Sequence, residues 1–382
     1  MTTKRHFPIL VGLACAGTAF AQMDTLNLRI GDAARSEREI IPQLDAILST
    51  ATDETLSPQA LIEQLSDERL VLIGEEHTGQ EFHRVQLRVL ELLHAANADL
   101  AVGLEMFPID RQAELDAWIL GELDEQAFLD TADWYGTWGY HWGYYRDIFL
   151  FSRENAIPMI ALRQPADEND RPDATELPVA PPSEDHRTLV QAFFETDSPV
   201  HGGLSPEQLD GLVASQSVRD ATMASRVISA LQAQPGRTLV VLAGTGHVLY
   251  DLGIVRHLSR AERDRAASIV PIEIEGEDIV VRASIADYVW GVPAQSYPRY
   301  PELGVVTMQA DDGLRVIYVE SDSPAEAAGV ATGDVLTAFN GATLEQRRDL
   351  GESLSPLAWG DAATISLVRD GSAQELTVLL RR

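Results

Sequence analysis

From about residue 61 onward, short unbroken apolar runs alternate with longer stretches of helical period. The runs are Leu70–Ile73, Leu100–Leu104, Met159–Leu162, Thr238–Ala243 and Ile269–Ile274. Between the first two, Val85, Leu87, Val89, Leu90, Leu92 and Leu93 recur at largely helical spacing. Strands alternating with helices predict an α/β domain, a mostly parallel sheet flanked by helices, over residues 61–290. Residues 22–60, polar with scattered leucines, read as a helical lead-in. Pro165–Arg187, rich in Pro, Asp and Glu, reads as an exposed acidic loop, and 291–301 as a linker. Residues 302–382 carry short alternating runs at Arg315–Glu320, Val335–Phe339, Thr364–Val368 and Glu375–Leu380, which predict a small, mainly-β domain.

Charge narrows the functional classes. The 382 residues include 59 acidic and 29 basic ones, a net charge of −30. At 45% hydrophobic and 23% charged, the composition is globular and excludes a disordered chain. Such acidity repels nucleic acid and anionic lipid. No apolar run reaches the roughly 20 residues of a spanning helix. Lys4 is the only lysine and Cys15 the only cysteine. Lys4 and Arg5, the apolar Phe7–Ala16 and then Ala19-Phe20-Ala21 read as a secretory signal peptide, residues 1–21. A lipid anchor on Cys15 is disfavoured, because Gly12 stands where a leucine is expected. Cleavage before Gln22 removes two positive charges and no acid, taking −30 to −32. A periplasmic or secreted protein is expected, with any metal held by His, carboxylate, Tyr or backbone oxygen.

In the tail, Ser323-Pro324-Ala325-Glu326-Ala327-Ala328-Gly329, Thr332-Gly333-Asp334 and Asn340-Gly341 follow one another as a capped helix and two turns. That order resembles a PDZ domain of the bacterial protease-associated type. The resemblance implies capture of a partner's C-terminal peptide on Leu303, Gly304 and Val305, with Leu350 and Leu354 on the opposite wall.

In the larger domain, four polar features end predicted strands: Glu75-Glu76-His77, Glu105, Arg163 and Gly246-His247. The crevice beyond parallel strand C-termini is the usual ligand site. With His83, these histidines and the carboxylates Glu75 and Glu105 suit zinc, manganese or iron. Chemistry does not rank Glu75 against Glu76. A second signal is Trp134–Tyr145, where eight of twelve residues are aromatic or histidine. Such a surface suits a large planar ligand, and Tyr or His binds ferric haem axially. Tyr135, Tyr140, His141, Tyr144 and Tyr145 are the ligand candidates.

In order, Gly74-Glu75-x-His77 with His83-x-x-Gln86, Gly103-Leu104-Glu105-Met106-Phe107, Trp138/Trp142 to Tyr145, Gln216-x-x-x-Asp220, Gly244-x-Gly246-His247 and Ala286-Asp287-Tyr288-Val289-Trp290 resemble the ChaN-like haem-binding uptake family of the Tiki and erythromycin-esterase-like superfamily. The resemblance implies an exported haem-binding protein of iron acquisition. It places Glu75, His77, Glu105 and His247 in the polar site, with Gln216 and Asp220 as neighbours. Arg163 departs from the asparagine of many relatives and offers a partner for a propionate. Some superfamily members are metal-dependent hydrolases. A second expectation is therefore a metal-bound water at His77 and His247, with Glu75 or Glu105 as general base. Haem is the preferred cofactor, and a homodimer is left open.

Overall fold

The apolar runs become strands because the sheet they form is covered on both faces. The computed structural model describes residues 25–96, 98–165, 171–173, 175–196, 204–276 and 279–382. The expected signal peptide, with Lys4 and Cys15, lies outside them. Ten strands build the first part: β1 (Glu39–Ile40), β2 (Ile47–Ser49), β3 (Glu54–Leu56), β4 (Leu70–Glu75), β5 (Leu100–Pro108), β6 (Met159–Arg163), β7 (Thr238–Gly244), β8 (Ala266–Ile274), β9 (Val281–Arg282) and β10 (Tyr288–Pro293). Eight of them form one sheet, ordered β3-β2-β10-β8-β4-β7-β5-β6. From β10 to β6 every neighbour is parallel, and β2 and β3 add an antiparallel edge. Val71, Ile73, Val102, Leu104, Val240 and Leu242 point into one core. Leu70, Leu72, Ala101, Leu239, Val241 and Ala243 point into the other.

The helices are α1 (Pro58–Leu65), α2 (Gln80–Ala95), α3 (Gln112–Ile119), α4 (Glu125–Thr131), α5 (Trp134–Thr137), α6 (Arg146–Glu154), α7 (Glu184–Thr196), α8 (Pro206–Ala233) and α9 (Arg260–Arg263). On the first face, α2 buries Phe82, Val85, Val89, Leu90 and Leu93. On the second, α8 buries Met223, Ala224 and Val227. Ser205 and Gln208 close a reciprocal capping box at the start of α8.

The last part contains β11 (Val305–Ala310), β12 (Gly313–Val319), α10 (Pro324–Ala328), β13 (Val335–Phe339), β14 (Ala342–Thr343), α11 (Arg347–Leu354), β15 (Ala362–Arg369) and β16 (Ser372–Leu379). Its antiparallel sheet surrounds a separate core of Leu303, Leu314, Val316, Leu336, Phe339, Ile365, Leu367 and Val378. β11 is the edge strand of the order β11-β12-β13-β15-β16.

Three segments differ from the sequence expectation. Residues 25–57 are not a helical lead-in: β1, β2 and β3 lie there, β1 pairing with β9 and β2 with β10. Thr50 Oγ1 donates to Ala286 O at 2.6 Å, and Arg35 pairs with Asp287, so long-range contacts override a weak local pattern. Strand β10 runs to Pro293, into the expected linker, because Gly291 and Val292 pair with Ile272 and Glu273 of β8. The acidic stretch 165–187 ends earlier than expected, since α7 begins at Glu184.

Candidate functional site

Side-chain alternation sends the two strand-end carboxylates to opposite faces of the sheet. Glu75 shares a face with Val71 and Ile73, toward α2 and the aromatic segment. Its carboxylate is completely buried and collects donors: Tyr145 OH at 2.7 Å, Gln86 Nε2 at 2.8 Å and His77 Nδ1 at 2.9 Å. His83 lies 3.6 Å away. Burial alone would raise the Glu75 pKa, but His83, His77 and Gln86 together hold it below the ordinary value. The same neighbourhood, burial first and then the Glu75 charge, pushes the Tyr145 phenol far up.

Glu105 shares the other face with Ala101. His247 Nε2 lies 3.2 Å from Glu105 Oε1, and His247 Nδ1 lies 2.5 Å from Asp220 of α8. Gly244 N donates to Glu105 Oε2 at 2.6 Å. Burial opposes the charged imidazole, but the two carboxylates overcome it and push His247 up to about 10. Glu105 is correspondingly held well below the carboxylate range, against its own desolvation, chiefly by His247. A Cβ on Gly244 would sit 3.1 Å from His77 Cε1 and 3.4 Å from Glu105 Oε2, so this glycine lets the two faces approach. Gln216 lies one turn before Asp220, and its Oε1 is buried with no hydrogen-bond partner.

The aromatic segment splits into core and face. Trp134 and Trp142 are buried with Phe107, Phe128 and Phe149. Trp138 and Tyr140 instead flank the ring of His77, with centroids at 4.7 and 4.8 Å, and the His77 side chain is 26% exposed. Four expected ligand residues are engaged elsewhere. Tyr145 OH is on Glu75, and Tyr135 OH donates to Ser355 Oγ at 2.7 Å. Buried Tyr144 accepts from Tyr300 N at 3.4 Å, and burial raises its pKa. His141 accepts from Gly143 N through Nδ1 and meets Ser355 O through Nε2, while Tyr300 stacks on its ring at 3.5 Å. Tyr140 remains half-buried beside His77.

The expected metal set is not assembled. Among the described residues no three His, Cys, Asp or Glu side chains converge to hold an ion. His83 faces Gln86 Oε1 through Nδ1 and the His77 carbonyl through Nε2, so neither nitrogen is open to a metal. A protonated His247 held between two carboxylates has no lone pair to offer. Glu75 and Glu105, the expected general bases, each have both oxygens occupied.

Arg163, at the end of β6, donates through Nη2 to Thr137 O at 2.8 Å and Met106 O at 3.2 Å, with its guanidinium 5.6 Å from the Trp138 ring. Arg219 of α8 lies 3.7 Å from Glu105. Sequence reasoning missed Arg219, Tyr300 and Ser355. An arginine one residue before Asp220 was a legible signal, but nothing local marks the other two.

In the last domain, Leu303 is buried in the core, and Val305 of β11 and Leu350 and Leu354 of α11 pack against that core. Gly304 has φ +75°, and a Cβ there would strike Ser323 Cβ at 2.2 Å. Glu302, beside this loop, is pushed up to about 7 by burial and then by Glu320. A raised carboxyl pKa contributes stability below the unfolded value of 4.5 and loses it as pH rises through 7. Glu302→Gln is therefore expected to leave the melting temperature unchanged at pH 4.5. At pH 8 it should stabilise by about 1–2 kcal/mol, discounted for partial exposure. Equal shifts at both pH values would remove this assignment.

The family model for haem-binding uptake, Tiki superfamily, ChaN, matches residues 61–258, and a PDZ model matches 301–380. A solved structure of cofacial haem binding to ChaN of Campylobacter jejuni shares the fold, with a TM-score of 0.52 and 19% identity. That match covers 65% of this chain and 98% of that one. A probable periplasmic serine endoprotease DegP-like of Brucella suis biovar 1 is 36% identical over 70 residues, 18% of this chain and 14% of that protein. The serine protease Do-like HtrB of Bacillus subtilis is 35% identical over 81 residues, 21% of this chain and 18% of its own. This chain therefore spans only a small part of those two relatives. No helix among the described residues is long and apolar enough to cross a membrane.

Proposed function

Because the chain belongs to the ChaN haem-binding uptake family and carries a PDZ domain, we propose that it is an exported haem-binding protein of iron uptake whose PDZ groove captures a partner's C-terminal peptide. The observation that carries this reading is the partly open His77 ring packed against Trp138 and Tyr140, which also contact each other. Planar aromatic walls, a Tyr and a His suit a flat iron porphyrin, so the residues fit the group the family implies. His77 and Tyr140 would hold the iron. Bound haem would supply an iron centre for carriage.

The chain's own residues prepare that face. With Nδ1 on Glu75, neutral His77 carries its proton there and keeps its lone pair on Nε2. Tyr145, Gln86 and His83 fix Glu75 in turn. Residues 1–21 would direct export, and the acidic surface keeps the protein off nucleic acid. In the PDZ domain, the open edge of β11 would pair with an added peptide strand. The loop at Leu303-Gly304-Val305 would receive its carboxylate, with Leu350 and Leu354 against its last side chain.

Haemin titration followed at the Soret band tests the reading. Wild-type protein should bind. His77→Ala and Tyr140→Phe together should weaken binding at least about tenfold, or 1.4 kcal/mol. No Soret change with wild type overturns haem binding. An unaltered titration of the double variant overturns the iron-holding residues.

A further inference from the structure

We propose that Arg163, Arg219 and Arg347 form a carboxylate-binding subsite beside Trp138, with Arg347 supplied by the PDZ domain. The inference rests on the porphyrin reading of the His77 face, and it names the ligand group that would lie next to that face.

The three guanidiniums come from different elements: the end of β6, the middle of α8 and the first residue of α11. Arg219 and Arg347 are both close enough to Arg163 to repel its charge, while Glu105 and Asp110 attract it; burial, the largest influence, leaves Arg163 at about 10, still a cation at neutral pH. Arg163 is oriented by two carbonyls, which do not neutralise it, and its Nε is buried with no partner. Among the described residues, the only carboxylate within ion-pair distance of Arg219 is Glu105, already balanced by His247. Arg347 makes no ion pair among the described residues, whereas its neighbour Arg348 pairs with Asp133 at 3.4 Å. A Cβ placed on Gly139 would lie 3.8 Å from Arg347 Nη2, which puts this cation beside the residue that follows Trp138.

Acidic residues outnumber basic ones by 59 to 29, so it is unexpected that the carboxylates near these three arginines are Glu105, already paired with His247, and Asp110, already paired with Arg111. Gathering like charges is unfavourable unless an anion joins them, and guanidiniums suit carboxylates in paired geometry.

Docking of α11 holds Arg347 in place. Tyr135 OH meets Ser355 Oγ at 2.7 Å, and His141 Nε2 meets Ser355 O at 3.0 Å. Gly351 packs so tightly that a Cβ there would lie 2.9 Å from the Tyr135 ring. The helix that walls the peptide groove thus also delivers a cation to the neighbouring site.

Two binding measurements test this on the full chain. In the first, wild type and Arg347→Ala are titrated with metal-free protoporphyrin and with its dimethyl ester, followed by fluorescence. Arg347 is exposed, so its loss leaves the core intact. The free acid should bind wild type about tenfold more tightly than Arg347→Ala, and the ester should not distinguish the two. In the second, melting temperature is compared in succinate and in chloride at matched ionic strength, without porphyrin.

A succinate-specific rise in wild type that is lost in Arg347→Ala supports the subsite, even if wild type fails to bind haemin and the haem reading falls. Sensitivity of the free acid alone to Arg347 supports it too, and assigns the carboxylate to the porphyrin. Ester and acid behaving alike, with no succinate effect, overturns it even if haemin binds.

Discussion

His247→Ala is expected to destabilise the protein by about 3–5 kcal/mol near pH 6.5, because it leaves two buried carboxylates without their shared cation. Glu105 and Asp220 are each 2% exposed, and Arg219 lies 3.7 Å from Glu105. The pH profile has a definite sign. His247 is raised from 6.5 to about 10, so its contribution is complete below 6.5 and is lost as pH rises through 10. Glu105 is depressed from 4.5, so its contribution is present above 4.5 and is lost in acid. The destabilisation should therefore peak between these limits and shrink on both sides. At low pH the stranded carboxylates take up protons, and at high pH wild-type His247 gives up its own. Urea unfolding of both proteins at pH 4, 6 and 9.5 measures the difference. A difference that stays constant with pH would rule out the imidazolium as the binding element.

The strands were legible because a sheet covered on both faces needs unbroken apolar runs, and Leu70–Ile73 or Thr238–Ala243 have no other simple reading. Their shared C-terminal edge follows from parallel pairing, which is why Glu75, Glu105, Arg163 and His247 could be grouped across the chain. What the pattern does not contain is the face on which each emerges. Glu75 and Glu105 leave on opposite sides, so residues that read as one metal set fold into two hydrogen-bonded groups.

The aromatic segment was legible in composition but not in phase. Asp133 enters α5 with φ 49°, and a 3-10 turn at Trp142–Tyr144 follows after four intervening residues. A helical wheel therefore cannot separate buried Trp134 and Trp142 from Trp138 and Tyr140 at the site. Edge strands of two or three residues, as in 39–56, carry too little period to read. Arg347 and Ser355 reach the site only through domain docking, which no local sequence signal records.

Glu75 and Glu76 are the sharpest case, since they are neighbours of identical chemistry. Glu75→Ala should cost about 3–5 kcal/mol, and Glu76→Ala about 1 kcal/mol or less. Removing Glu75 strands buried donors on Tyr145 and Gln86 and releases the His77 ring. Glu76 sits on the half-buried turn after β4, whereas Glu75 is fully buried. Because Glu75 is held below its ordinary pKa, its contribution is present above 4.5 and is lost as pH falls. The gap between the two variants should accordingly narrow in acid. Glu75→Gln retains the shape and one acceptor, so it should fall between them in stability. It should also weaken haemin binding more than Glu76→Ala does, since Nδ1 of His77 loses its charged partner. Unfolding midpoints at pH 4 and 7, with haemin titrations of the same proteins, check both statements. Matching losses in the two alanine variants would show that the buried carboxylate does not organise the His77 face.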